Sequence, residues 1–168
     1  YLKSQNEVTK EDLHQYLTMV SRKAIQIKEL TDMLLDSDAN DKEFIPDGKL
    51  LFIQLAEEWA DSLENEFDCK ISVDESLKFS GEFKIQNFLR IFDNLASNIQ
   101  KYADPSRQVI LNVFSKDGRL AIEQSNHKIL NPKLSESYKI GLESINRIAH
   151  RYGGTVNVSE TDETFKIT

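Results

Sequence analysis

Apolar residues recur every three or four positions near the start of the chain, as they do on one face of an α-helix. These positions are Leu13, Leu17, Val20, Ala24, Ile27, Leu30 and Leu34. The other faces are polar, so the narrow apolar stripe needs a partner helix, and the pattern favours a bundle helix. An amphipathic helix lying on its own domain is the alternative. We assign residues 1–38 to this helix and residues 39–48, which include Pro46 and Gly48, to a linker.

After the linker, the pattern changes to alternating helical and extended segments. Helical spacing covers residues 50–67, 82–103 and 141–152. Short strands are predicted at 69–74 and 77–81, and hairpins at 107–126 and within 153–168. Asp117 and Gly118 are the turn pair of the first hairpin. Helices combined with mostly antiparallel strands predict an α+β fold, a two-layer α/β sandwich, over residues 49–168.

Composition narrows the possible functions. The chain has 168 residues and a formal net charge of −7, which argues against a nucleic-acid partner because phosphate-binding surfaces need clustered cations. Its single cysteine, Cys69, excludes a disulfide within the chain. No apolar run approaches the roughly 18 residues that a membrane span requires, so no membrane contact is expected here. The chain begins at Tyr1, so we expect it to be a fragment of a longer protein.

A cluster of polar side chains lies within the helix predicted at 82–103. In "FDNLASNIQKYA", Asn94 and Asn98 are four residues apart and share one helix face. Lys101 and Tyr102 follow within one turn. Amide oxygens suit Mg²⁺, a Lys can neutralise a polyphosphate, and a Tyr can pack along a nucleoside. The simpler alternative is a pair of solvent-facing amides on a half-buried helix.

This stretch resembles the N box of bacterial sensor histidine kinases. Downstream, "KIGLESINRIAHRYGGTVNVSETDETFKIT" is similar to the second glycine box of that family and the strands that follow it. Upstream, "YLTMVSRKAIQIKELTDMLLDSD" resembles the second helix of the dimerisation and histidine-phosphotransfer hairpin. The resemblance implies that residues 1–38 are part of that hairpin. It also implies that residues 49–168 are a catalytic domain with the Bergerat-type ATP-binding fold, which gyrase-type, mismatch-repair and chaperone ATPases share.

The resemblance also implies roles for individual residues. Asn98 corresponds to the Mg²⁺ ligand, while Asn94 and Lys101 correspond to the catalytic residues that contact the phosphates. The other implied nucleotide contacts are Tyr102 beside the nucleotide, Gly141 and Leu142 at a helix N-terminus, and Thr164 on the strand under the adenine. The implied cofactors are ATP and Mg²⁺.

The chain departs from the family pattern at the first glycine box, which reads "IEQSNHK". The Asp that contacts the adenine amino group in the family is missing. Strand alternation places Asn126 on the face of Leu120, Ile122 and Gln124, and we expect its amide oxygen to replace the Asp; Gln124 is the rival. The usual "GLGL" is reduced to "KIGL", and the lid between Asn126 and Gly141 is short.

The implied function is that of a cytoplasmic domain of a membrane-anchored sensor histidine kinase. The parent protein would be a homodimer that transfers the γ-phosphoryl of Mg-ATP to a histidine and then to a response-regulator aspartate. His14, His127 and His150 lie outside an H-box context, so the acceptor is expected before residue 1, and this fragment should not phosphorylate itself. Two alternatives stay open: an anti-sigma-factor-type serine kinase of the same fold, and a nucleotide-free interaction module.

Overall fold

The computed structural model describes residues 42–129 and 136–168, with only the backbone for 136–139, together with Leu17 and Val20. The chain divides into two compact units, Tyr1–Asp41 and Lys42–Thr168. The bundle helix predicted for residues 1–38 lies outside the described residues apart from Leu17 and Val20, which are helical and 59% and 60% exposed. The rest of the description concerns the second unit.

Three helices and seven strands are described in the second unit. The helices are α1 (Gly48–Asp61), α2 (Ile85–Tyr102) and α3 (Glu136–Arg151). The strands are β1 (Glu43–Ile45), β2 (Cys69–Val73), β3 (Gly81–Phe83), β4 (Val109–Lys116), β5 (Arg119–His127), β6 (Val158–Glu160) and β7 (Thr164–Ile167).

The main sheet has five strands in the order β2-β4-β5-β7-β6, and β1 pairs with β3 in a separate two-stranded sheet. β2 and β4 are parallel, while the remaining pairs of the main sheet are antiparallel. One face of this sheet and the inner faces of the helices contribute to the same apolar core. The structure therefore confirms the α+β class and the mixed, mostly antiparallel sheet covered by helices.

The strand register decides which side chains lie under the helices. Gln124 pairs with Leu111 on one side and with Ile167 on the other, and Asn126 pairs with Phe165. Because paired residues in a sheet project to the same face, the two amides lie within the buried apolar layer. All five side chains are buried, with exposures of 7% or less. Gln124 and Asn126 of the first glycine box thus lie on the core side of the sheet.

Several predicted boundaries are corrected by the structure. β1 falls within residues 39–48, and Ile45 is buried. The strand predicted at 77–81 is not formed; the strand begins at Gly81 and α2 begins only at Ile85. Pairing with β1 explains this shift, because backbone groups of residues 81–83 bond across to residues 43–45. The first hairpin turns at Asp117 and Gly118, both with positive φ (51° and 72°), as predicted.

An aromatic cluster fixes the start of α2. Tyr152, which follows α3, packs on Phe83 and Phe88 with ring centroids 5.1 Å and 6.2 Å away. Its hydroxyl oxygen accepts hydrogen bonds from the backbone N–H of Lys84 (3.1 Å) and from Nδ2 of the buried Asn87 (2.8 Å). These contacts connect the "YGG" segment to the first turn of the helix that carries the N-box residues.

Candidate functional site

The two N-box asparagines lie where α2 meets α3. A Cβ built on Gly141 of α3 would lie 3.2 Å from Asn94 Oδ1 and 3.6 Å from Asn98 Oδ1. Both amide oxygens therefore point toward the same glycine, as their four-residue spacing on α2 predicts. Asn94 Nδ2 donates to the carbonyl of Arg90 (2.8 Å), which turns its oxygen outward from the helix. The structure thus brings Asn94, Asn98 and Gly141 together.

Asn98 is more buried than a solvent-facing amide would be. Its side chain is 6% exposed, and its Nδ2 has no hydrogen-bond partner among the residues that the structure describes. Buried polar groups are normally paired, and each exception calls for an explanation. Asn87, on the same helix, shows the ordinary case, because its Nδ2 bonds to Tyr152. The unpaired Asn98 amide favours a binding site over the simpler alternative of a surface amide.

The C-terminal end of α2 is joined to the end of β5. The carbonyl of Tyr102 accepts from the N–H of Ile129 (3.0 Å), and the carbonyl of His127 accepts from the N–H of Asp104 (2.9 Å). Ala103 and Lys128 form an isolated antiparallel bridge. Lys101 is exposed at this end, whereas Tyr102 is buried at 9% exposure. The N box and the first glycine box therefore meet at the C-terminal end of α2.

A chain of hydrogen bonds connects the amides of β5. Gln124 Nε2 donates to Asn126 Oδ1 (2.8 Å), and Asn126 Nδ2 donates to the carbonyl of His127 (2.8 Å). The remaining carbonyl oxygen, Gln124 Oε1, is buried and has no hydrogen-bond partner within the described part of the chain. Asn126 thus lies next to the junction between α2 and β5. Gln124 lies two residues earlier on β5, further into the sheet.

The second glycine box departs from the predicted geometry. α3 starts at Glu136, not at residue 141, so Gly141 is five residues inside the helix and Leu142 follows it. Only the first four N–H groups of a helix lack an internal partner, so neither residue lies at a helix N-terminus. The predicted helix start is wrong. Gly141 instead allows α3 to lie close to the Asn94 and Asn98 oxygens, because a glycine has no Cβ.

Thr164 does not join the other site residues. It pairs with His127, one position away from the Asn126–Phe165 pair, and therefore projects to the opposite face of the sheet. Its Oγ1 lies 2.8 Å from Thr161 Oγ1, and its N–H donates to the same Thr161 oxygen (3.0 Å). Within the structure these bonds close the β6–β7 turn.

The charged rim of the site contains an anchored carboxylate. Asp104 Oδ1 accepts from the hydroxyl (2.7 Å) and the N–H (2.9 Å) of Ser106, and these two bonds hold the pKa of Asp104 below its usual value. Asp104 is therefore a fixed negative charge beside the Lys101 end of α2. In the described part of the chain, no group of three His, Cys, Asp or Glu side chains could hold a metal ion.

Sequence reasoning missed two features of the site. The first is the contact of Gly141 with the N-box oxygens. Its only trace in the sequence is weak: Gly141 is the one glycine kept from the family's "GLGL" motif. The backbone carbonyl of His127, which orients Asn126, has no sequence signal because every residue carries a carbonyl.

The described residues 42–129 and 136–168 have the fold of the catalytic domains of histidine kinases. Several solved histidine kinase structures are similar at this level. The histidine kinase AdeS of Acinetobacter baumannii matches with a TM-score of 0.59 and 13% identity, covering 99% of this chain and 85% of that one. The cytoplasmic segment of histidine kinase QseC gives 0.56 and 13%, covering 100% and 97%. Full-length ShkA in complex with AMPPNP gives 0.60 and 18%, covering 96% and 39%.

A curated relative extends the resemblance to sequence. The chain is 26% identical over 159 residues to the sensor histidine kinase YrkQ of Bacillus subtilis (strain 168). The match covers 90% of this chain but spans only 36% of the length of YrkQ. No family model matches the chain. The similarity to bacterial sensor histidine kinases inferred from the N box and the second glycine box is therefore confirmed. No helix in the described part is long and apolar enough to cross a membrane.

Proposed function

We propose that this chain binds Mg-ATP between α2, α3 and the end of β5, as the catalytic domain of a sensor histidine kinase. The observation that carries the proposal is the convergence of two amide oxygens, from Asn94 and Asn98, on Gly141. Amide oxygens suit a hard cation that keeps several waters, which is how Mg²⁺ binds beside phosphates. Lys101 lies one turn further along α2, is exposed, and would place a positive charge beside the phosphates.

The roles implied by the resemblance can be placed on this arrangement. Asn98 would hold Mg²⁺ through its Oδ1, and the metal would neutralise charge on the phosphates. Asn94 and Lys101 would contact the phosphates, and Tyr102 would pack near the nucleoside. Asn126 would accept from the adenine amino group. Gly141 and Leu142 would contribute to the site through the close packing of α3 against α2. Thr164 would contact the nucleotide only if the nucleotide reaches the start of β7.

In the full-length protein, the γ-phosphoryl of ATP would pass to a histidine and then to an aspartate of a response regulator. This step needs positioning and charge neutralisation more than a protein base, since the nucleophile is an imidazole and phosphoryl transfer has a loose transition state. We further propose that the parent is a membrane-anchored homodimer with this domain on the cytoplasmic side. The similarity to the QseC cytoplasmic segment supports that placement.

One observation favours a second candidate, a nucleotide-free interaction module. The Asn126 amide already uses its oxygen and its nitrogen in bonds within the protein. A carboxylate at this position would keep more acceptor capacity for a ligand. Binding of Mg-ATP by the intact chain decides between the two candidates.

The test measures ATP binding with and without Mg²⁺ in the wild type and in Asn98→Ala. If Asn98 binds the metal, the substitution should weaken binding only in Mg²⁺, by roughly tenfold, a loss of about 1.4 kcal/mol. The thermal midpoint should change little, because Asn98 Nδ2 has no bond to lose. Asn112→Ala, on the opposite face of the sheet from the buried Leu111, is the matched control. Equal affinities in Mg²⁺ would remove Asn98 from the site, and failure of the wild type to bind would favour the nucleotide-free module.

A further inference from the structure

The start of α2 is capped by a side chain that follows α3. Lys84 is the N-cap residue of α2, and its side chain makes no capping bond within the described part of the chain. In a capping box, the side chain at the third helical position bonds to the N–H of the N-cap residue. Asn87 occupies that third position, but its Nδ2 donates to the hydroxyl oxygen of Tyr152 (2.8 Å), which also accepts from the N–H of Lys84 (3.1 Å). Tyr152 therefore supplies the missing cap from 68 residues further along the chain.

The segments of α2 and α3 touch at two points that are equally spaced along both. Gly141 faces Asn98 in the C-terminal half of α2, whereas Tyr152 faces Asn87 in its first turn. Eleven residues separate Gly141 from Tyr152, and eleven separate Asn87 from Asn98. The helices therefore run antiparallel, and one register satisfies both contacts. A slide of one residue, roughly 1.5 Å along the helix axis, would break a hydrogen bond of 2.8 Å.

The hydroxyl of Tyr152, and not its ring, makes this contact directional. The ring packs on Phe83 and Phe88, with ring centroids 5.1 Å and 6.2 Å away, but apolar packing is non-directional. The two donors to the hydroxyl cannot follow a slide of α3. One is the backbone N–H of Lys84, and the other belongs to Asn87, whose side chain is 1% exposed. The hydroxyl bonds therefore fix the end of α3 on the start of α2.

We propose that Tyr152 is a positioning residue for the nucleotide site. Through its two hydroxyl bonds it sets the register of α3 along α2, and so holds Gly141 against the Asn94 and Asn98 oxygens. This inference rests on the proposed function, because these are the oxygens assigned to the metal and the phosphates. Without the hydroxyl, other registers of α3 become populated. The apparent affinity then falls by the fraction of molecules that keep the competent register.

The test measures Mg-ATP affinity by calorimetry at a temperature at which every variant is folded. Tyr152→Phe keeps the ring and removes the hydroxyl, so the affinity should fall about three- to tenfold, the factor associated with a lost buried hydrogen bond. Adding Asn87→Leu should recover stability but not affinity, because the N–H of Lys84 still has no acceptor. Val113→Ala, a buried position of β4, lowers stability and keeps both hydroxyl bonds, so it should bind as the wild type does. An equal loss in Val113→Ala, or full recovery of affinity in the double variant, would overturn the proposal.

A measurement without nucleotide separates this inference from the proposed function. In isotope-labelled protein, the side-chain amide signals of Asn94 and Asn98 should shift between the wild type and Tyr152→Phe, because their contact with Gly141 changes. Unshifted signals would overturn the inference and leave the nucleotide site standing. If the wild type does not bind Mg-ATP, the proposed function fails, and these shifts alone decide whether Tyr152 sets the contact.

If Tyr152→Phe does not fold, hydrogen exchange in the wild type decides the matter. Coupling between two sites is reciprocal, so a ligand that needs this register must also strengthen the bonds that set it. Mg-ATP should therefore slow exchange of the Lys84 N–H more than that of the Leu77 N–H, which bonds to the carbonyl of Asp74 (3.0 Å). Equal changes at the two amides would overturn the proposal.

Discussion

Gly141→Ala tests the contact on which the proposed site depends. Gly141 lies inside α3 and its φ is not in the positive region, so alanine fits the backbone. Replacing a helix-interior glycine stabilises by about 0.5–1 kcal/mol. The new methyl group would lie 3.2 Å from Asn94 Oδ1, so the Asn94 side chain must move by a few tenths of an ångström. That movement strains its 2.8 Å bond to the Arg90 carbonyl, a bond worth about 0.5–1.5 kcal/mol.

The two effects on stability nearly cancel, so the free energy of unfolding should change by less than about 1 kcal/mol. Binding should respond more strongly, because the displaced oxygen is one that the site presents to the ligand. We expect calorimetry to show about a tenfold weaker affinity for Mg-ATP, a loss of about 1.4 kcal/mol. Glu143→Ala, an exposed position of the same helix, controls for general effects on α3. A variant that is more stable and binds Mg-ATP as well as the wild type would refute the reasoning.

Two further predictions concern the fold and the reaction. Tyr152→Phe removes the acceptor of the buried Asn87 amide, so the free energy of unfolding should fall by about 1–3 kcal/mol in denaturant titrations. Adding Asn87→Leu to that variant should recover part of the loss, and an unchanged stability in the single variant would contradict the prediction. Incubation of this chain with γ-labelled ATP should leave no acid-labile label on it, because His14, His127 and His150 lie outside an H-box context. Stable phosphohistidine mapped to His14 would show that His14 is the acceptor.

Local patterns in the sequence determined much of the fold. Helical periodicity identified the helices at α1, α2 and α3, and the Asp117–Gly118 pair identified the β4–β5 hairpin, because both signals depend on neighbouring residues. The same reasoning placed Asn94 and Asn98 on one helix face. The placement of that face against Gly141 was not predicted, since spacing within α2 contains no information about α3.

Tertiary structure decided the features that depend on residues distant in the chain. Pairing of β1 with β3 made residues 82 and 83 part of a strand despite their helical spacing, because backbone groups 36 to 40 residues apart bond to each other. The early start of α3 moved Gly141 from a helix terminus to a helix interface. The His127 carbonyl fixed two amides whose orientation no side-chain pattern reveals. The sequence determined by itself which side chains share an element, whereas packing between elements decided which of their atoms are paired and which are available to a ligand.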